Sequence, residues 1–201
     1  PRQTTIGRVV EAVVANPVVL IYEDESGAKE SAIVSWRGLV TASDLNKQYF
    51  RSKVYELLAE LEMGLLNVIK LGGLDHNSWL KALTLDAQAR VLGYWELAKR
   101  RDVDTNPLTA CMFPDLLKIA ASDKYVLNEL GFSSRNQFND RVGGLPDLRN
   151  MVMHPIRPLI LCREDVVTLQ RRLKTAWELT NRILDIVASP TPLVFREATA
   201  P

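Results

Sequence analysis

The sequence predicts a mainly α fold, an antiparallel helical bundle of four to five helices behind a small N-terminal α+β segment, and three observations carry it. Apolar residues recur at three- and four-residue spacing in two long stretches, "FRSKVYELLAELEMGLLNVIK" and the stretch from Val166 to Val187. β-branched runs are confined to the front of the chain, in "NPVVLIYEDESGAKESAIVSWRGLVTASDL". Gly72-Gly73, Pro107, Gly131 and Gly143-Gly144 punctuate the spaces between the periodic stretches. The expected organisation is an α+β segment over 1–46, a helical bundle over 47–189 and a tail over 190–201.

Element by element, a helix is expected over Thr5 to Ala15, followed by strands at Val18 to Tyr22 and Ala32 to Thr41. The polar turn "EDESGAKE", with Gly27 able to turn left-handed, joins them into a hairpin. Two strands alone do not make a stable sheet, so the hairpin must pack on the helical body or pair with another chain. From Asp44 onward the period becomes helical. Val54, Leu57, Leu58, Leu61, Leu65, Val68 and Ile69 form one stripe, with Glu56, Glu60 and Asn67 off it. A second helix starts near Leu83, with Thr84 as N-cap, passes through Val91, Leu92, Trp95 and Ala98, and ends in the cations "KRR", which suit the negative end of the helix dipole.

A third helical stretch covers Leu108 to Leu130, with Pro114 as a break or a new start. "SSRNQFNDRV" and the following glycines read as a break before a short helix with Pro146 in its first turn and Asp147 near its positive end. The final helix carries Val166, Leu169, Leu173, Ala176, Trp177, Thr180, Ile183, Leu184 and Val187 as its stripe. "SPTPLVFREATAP" reads as a loosely held tail.

Composition narrows the function. With 47% hydrophobic and 24% charged residues and a formal charge of +1, the chain is a globular protein with no global field to draw in nucleic acid. An anionic partner must therefore meet a local arrangement of Lys and Arg. Cys111 and Cys162 have no companion motif, so neither a disulfide framework nor a zinc site is indicated, and no metal is expected. No apolar run is long enough to span a bilayer and "PRQTTIGRVV" lacks the pattern of a signal peptide, so a cytoplasmic location without membrane attachment is expected.

The chemistry-bearing stretch is "LPDLRNMVMHPIRPL", which gathers Arg149, Asn150 and His154 in a chain with two histidines. A histidine before proline is also a natural helix terminator, and its cation suits the C-terminal dipole. On an ideal helix Asn150 and His154 share a face, whereas Arg149 lies about 140° from His154 and joins them through its long side chain or a distorted helix end, which Pro155 favours. His76, in "GGLDHNSW", has no partner at motif spacing and reads as a loop residue. Glu56, Glu60 and Glu62 read as a solvated helix face.

"LRNMVMHP" resembles the motif of the HEPN (higher eukaryotes and prokaryotes nucleotide-binding) superfamily, an Arg, a polar residue that is often Asn, three variable residues and a His ahead of a long C-terminal helix. The resemblance covers roughly Tyr49 to Ser189. It implies a metal-independent RNA endonuclease acting as a homodimer, often a toxin or defence protein. His154 is then general base or acid, Arg149 stabilises the transition-state phosphate, and Asn150 orients by hydrogen bonding. Cleavage through the 2′-OH needs both an acid and a base, and one His per chain makes a two-fold dimer a chemical expectation too. Arg157 and Arg163 are candidate RNA phosphate contacts.

In the front segment, Gly38, Leu39, Val40, Thr41 and Asp44 in "WRGLVTASDL" resemble the end of a CBS (cystathionine-β-synthase-type) motif. That resemblance implies that Thr41 and Asp44 hold the phosphate and ribose of an adenine nucleotide. The competing reading makes the same residues an N-cap cluster for the helix that follows. The functional expectations are thus a ribonuclease requiring no cofactor, with an adenine nucleotide as a candidate effector, or a non-catalytic nucleotide-sensing dimer. Either accommodates an antitoxin or a nucleotidyltransferase as partner.

Overall fold

The computed structural model of the chain describes residues 6–24, 34–103 and 106–188. In order the elements are α1 (Ile6–Ala15), β1 (Val18–Asp24), β2 (Val34–Thr41), a 3-10 turn (Ala42–Asn46), α2 (Gln48–Leu71), α3 (His76–Leu80), α4 (Leu85–Arg100), a second 3-10 turn (Pro107–Ala110), α5 (Phe113–Ser122), α6 (Lys124–Glu129), α7 (Arg135–Val142), α8 (Leu145–Met153) and α9 (Arg163–Ala188). The protein is thus mainly helical with a small antiparallel sheet, as its sequence predicts. The turn around Gly27, Thr5 and the tail from 189 lie outside the described residues. No helix among the described residues is long and apolar enough to cross a membrane.

Two compact units divide the chain, one of 1–58 with 147–176 and one of 59–146 with 177–201. In the first, β1 and β2 pair antiparallel from Val18 opposite Thr41 to Asp24 opposite Val34. The register slips by one residue after Ile21, which faces Gly38 while Tyr22 faces Trp36, so Arg37 is the extra residue of a bulge. Helix α1 packs on β1 and buries Val10 and Val13. The predicted stripe enters α2 with Val54 and Leu58 buried, alongside Leu148 and Val152 of α8 and Val166, Leu169 and Leu173 of α9.

The second unit is organised about α5, of which Phe113, Leu116, Leu117, Ile119, Ala120 and Ala121 are all buried. It packs against α3, α6 and α7. Arg90 reaches from α4 to the buried Asp115 of α5 at 2.5 Å, and the same carboxylate accepts from the amide of Met112 at 2.9 Å. Phe132 and Phe138 meet edge to face with centroids 5.0 Å apart. Gly64 lets α2 lie close to α9, because a Cβ there would sit 2.6 Å from Cγ2 of Ile183.

Four departures from the sequence reading have local causes. Within the stretch from Leu108 to Leu130 Pro114 marks a new start, as expected, in the first turn of α5, but the remainder is divided: Asp123, with an extended backbone, caps α6 by accepting from the amides of Tyr125 at 2.6 Å and Val126 at 3.0 Å. Where a break was expected before Gly143, α7 forms, capped by Ser134 on the amide of Gln137 at 3.2 Å. Its buried side chains are only Phe138 and Val142, too few to show a helical period. His76 opens the one-turn helix α3, because Asp75 caps it through the amides of Asn77 and Ser78. The stripe of α9 holds through Ile183, but Trp177 and Leu184 are each 58% exposed and Val187 is exposed too.

Candidate functional site

Helix α8 begins with Pro146 in its first turn, where a missing N–H costs no hydrogen bond, and with Asp147 near the positive end of the helix dipole. Leu145, Leu148 and Val152 bury one face. That rotation leaves Asn150 and His154 exposed and Arg149 half-buried. The amide of His154 still donates to the carbonyl of Asn150 at 3.1 Å, so the helical path reaches the histidine, which stands at the C-terminal cap just past Met153. Asn150 and His154 therefore share one exposed face a turn apart, and Arg149 stands about 140° round from His154. The departure from helix comes at His154, where Pro155 disfavours the helical conformation, and the amide of Arg157 donates to the carbonyl of His154 at 3.0 Å in the turn that follows.

The turn that carries His154 is held by two side chains, Asn46 at the end of the first 3-10 turn and Arg51 in the first turn of α2. Arg51, 3% exposed, donates Nη1 to the carbonyl of Met151 at 2.7 Å, Nε to that of Asn46 at 3.2 Å, and Nη2 to that of Arg157. Burial draws its guanidinium below the usual arginine value, and arginine stays charged across the range in which proteins fold. The Asn46 carboxamide accepts from the amides of Leu159 at 2.6 Å and Ile160 at 2.9 Å and donates to the carbonyl of Ile160 at 2.9 Å. From α9, Arg172 extends to 3.8 Å from the Asp147 carboxylate and 3.9 Å from the Met151 sulfur, adding a cation beside α8.

None of these three was selected by sequence reasoning. A signal for Arg51 existed: it stands three and seven residues ahead of Val54 and Leu58, a charge on the apolar stripe. Arg172 likewise lies between Leu169 and Ala176 at stripe spacing. For Asn46 there was none.

Arg157 carries an exposed side chain three residues after His154. Arg163 opens α9 and donates Nη2 to the carbonyl of Val14 in the last turn of α1 at 3.0 Å. At the end of β2, Oδ2 of Asp44 accepts from the amide of Thr41 at 2.7 Å and its hydroxyl at 3.0 Å, and Oδ1 pairs with Lys47 at 2.5 Å. Lys47, then the Thr41 amide, hold the Asp44 carboxyl down at about 2. This is the geometry of an N-terminal cap, and it already occupies the two groups singled out for a nucleotide.

Of the glutamates on α2, Glu56 pairs with Lys53 at 2.7 Å and Glu60 is exposed. Burial pushes the Cys111 thiol up to about 12, and a hydrogen bond to Glu164 raises that of Cys162, so neither is an activated nucleophile. No protein-family model, curated protein or solved structure matches the chain.

Proposed function

We propose that this protein is an endoribonuclease of the HEPN type, which cleaves RNA by attack of the 2′-OH to leave a 2′,3′-cyclic phosphate and a 5′-OH. The observation that supports it best is that Asn150 and His154 stand exposed one helical turn apart at the end of α8, with the half-buried Arg149 on the same turn and Arg157 in the turn that follows. Such cleavage needs a proton acceptor at the 2′-OH, a donor at the leaving 5′-oxygen and cations about the phosphorus. His154 serves as base or acid, Arg149 meets the charge that develops on the phosphate, and Asn150 orients by hydrogen bonding. Arg157 and Arg163 contact the RNA backbone. The side chains supply this chemistry without a metal or cofactor.

A single histidine per site leaves acid or base unfilled, so the active form is a homodimer that brings two His154 residues to one scissile phosphate. In this reading the helices form the four- to five-helix antiparallel bundle of that superfamily, and the segment through residue 46 is a CBS-like fragment, where an adenine nucleotide effector at Thr41 and Asp44 exchanges their cap bonds for its own. The protein works in the cytoplasm as a toxin or defence ribonuclease, with an antitoxin or a nucleotidyltransferase as further partner. A second reading, a non-catalytic nucleotide-sensing dimer, draws support from the hairpin, where Val18, Leu20, Ile21 and Leu39 are all exposed on a sheet of two strands.

Incubating purified wild type and His154→Ala with total tRNA and a mixed-sequence RNA in EDTA separates the readings. Cleavage by wild type alone, with 5′-OH ends, is the expected result. Equal cutting by a folded His154→Ala removes His154 from the chemistry, and no cutting by either protein across pH leaves the sensing dimer as the better account.

A further inference from the structure

The segment that follows α8 has little apolar anchorage of its own. Every residue from His154 to Pro158 is exposed, and Ile156 is 96% exposed. A chain so placed explores many conformations unless its backbone groups are tied elsewhere. Here the ties come from Arg51 and Asn46, about one hundred residues earlier in the chain.

Their arrangement brackets one residue. Met151 lies three positions before His154 and Arg157 three after, and a single guanidinium donates to both carbonyls. The third bond of Arg51, to the carbonyl of Asn46, joins it to the residue whose carboxamide grips Leu159 and Ile160. Met151 belongs to the last turn of α8, whose carbonyls lack intrahelical donors and carry the negative end of the dipole, so a buried cation is well matched there. The planar fork matters as much as the charge. Bonds that diverge to three carbonyls fit five N–H groups in fixed directions and do not fit a single ammonium.

We propose that Arg51, braced by Asn46, is the positioning residue for His154, fixing the end of α8 and the turn after it so that the imidazole is presented to RNA in one orientation. The inference rests on the ribonuclease reading for its consequence in catalysis, while the positioning itself is open to a test that needs no RNA. Loss of the fork leaves Arg149, Asn150 and His154 all present and the phosphate-binding cations intact. The chemical step suffers far more than RNA binding, to which Arg157 in the loosened turn is one contact among several.

Arg51→Lys keeps the charge and gives up the fork. Its steady-state cleavage is expected to show kcat reduced roughly 10- to 100-fold, the scale of a small misplacement of a reacting group, with KM within about twofold of wild type. The chain has two histidines, so ring Cε1–H resonances assigned with His154→Ala report on each separately. In folded Arg51→Lys the His154 resonance is expected to move toward its unstructured position while that of His76 stays put. A role confined to stability lowers the melting temperature and alters neither readout in molecules that remain folded. A folded Arg51→Lys whose His154 resonance and pH titration match wild type overturns the proposal. Should Arg51→Lys fail to fold, Asn46→Ala, which removes the grip on Leu159 and Ile160 alone, is judged by the same resonance. Wild type that cuts no RNA defeats the ribonuclease reading, and the resonance comparison still decides the positioning.

Discussion

Helix α5 and the segment from His154 to Cys162 are opposite solutions to holding a stretch of chain in place. In α5 six of ten residues are buried apolar side chains, and the helix is fixed by what it excludes from water. The segment after α8 buries only Leu159 and Ile160, and is fixed by what its backbone accepts and donates: the carbonyl of Arg157 accepts from Arg51 and that of Ile160 from Asn46, and its amides donate to Asn46 and Asp165. Hydrophobic burial is non-directional, so it holds a helix firmly while tolerating small shifts; hydrogen bonds to a planar fork specify direction. The difference shows where stability and where geometry are set in this protein.

The largest expected effect comes from α5. Phe113 is fully buried, and Phe113→Ala should cost about 3–5 kcal/mol of stability through lost transfer energy and the cavity left behind, read as a lower denaturant midpoint. Protein that remains folded should show an unchanged His154 resonance. If Phe113→Ala displaces that resonance in folded protein, the separation between the two regions is broken.

A pair of glycines sharpens the contrast within the apolar part. At Gly64 a new Cβ meets Ile183 at 2.6 Å, whereas at Gly93, in the middle of α4, it meets nothing within 4 Å. Gly64→Ala should lose about 1 kcal/mol or more, because overpacking outweighs the gain in helix propensity. Gly93→Ala should gain about 0.5–1 kcal/mol from the same propensity unopposed. Thermal melts of the two variants with opposite signs are the expected result, and a shared sign would show that packing against Ile183 relaxes freely.

What could be read from the sequence follows the same division. The stripe of α2 was legible because Val54, Leu58, Leu61, Leu65, Val68 and Ile69 are buried, and burial is what periodicity reports. Thr84 was legible as a cap, since its hydroxyl accepts from the amide of Ala87 three residues on. The helix α7 was not, with two buried side chains in eight residues, nor was the division at Asp123, where a side chain wins over continuing periodicity. On α9 the pattern overran: Trp177 and Leu184 keep the spacing and stay exposed, because periodicity marks a face without saying what covers it. Asn150 and His154 on one face followed from spacing alone. The helix ends at Met153, leaving His154 as the residue that Pro155 keeps out of the helical conformation, and the tie from Arg51 spans a sequence separation that no local pattern encodes.

The smallest expected effect belongs to the polar side of the comparison, at the cap of Asp44. Its carboxyl is held at about 2, below the ordinary carboxylate value, chiefly by Lys47 and the amide of Thr41. A depressed folded-state pKa means the proton binds the unfolded chain more readily, so the carboxylate contributes stability that is fully present above about pH 4 and is lost as the pH falls through about 2. Lys47 is 73% exposed and Asp44 23%, so solvent and salt screen the pair and the contribution is about 1 kcal/mol or less. Asp44→Asn should therefore be slightly less stable than wild type at neutral pH, and the difference should vanish on acidification to well below pH 2. A difference that persists at that pH would place the effect in the shape of the cap, since Asn and protonated Asp would then not be equivalent there. A difference absent at neutral pH would mean that the bonds among Thr41, Asp44 and Lys47 do not hold the strand end, and that the turn is kept in place instead by the tie of Asn46 to Leu159 and Ile160.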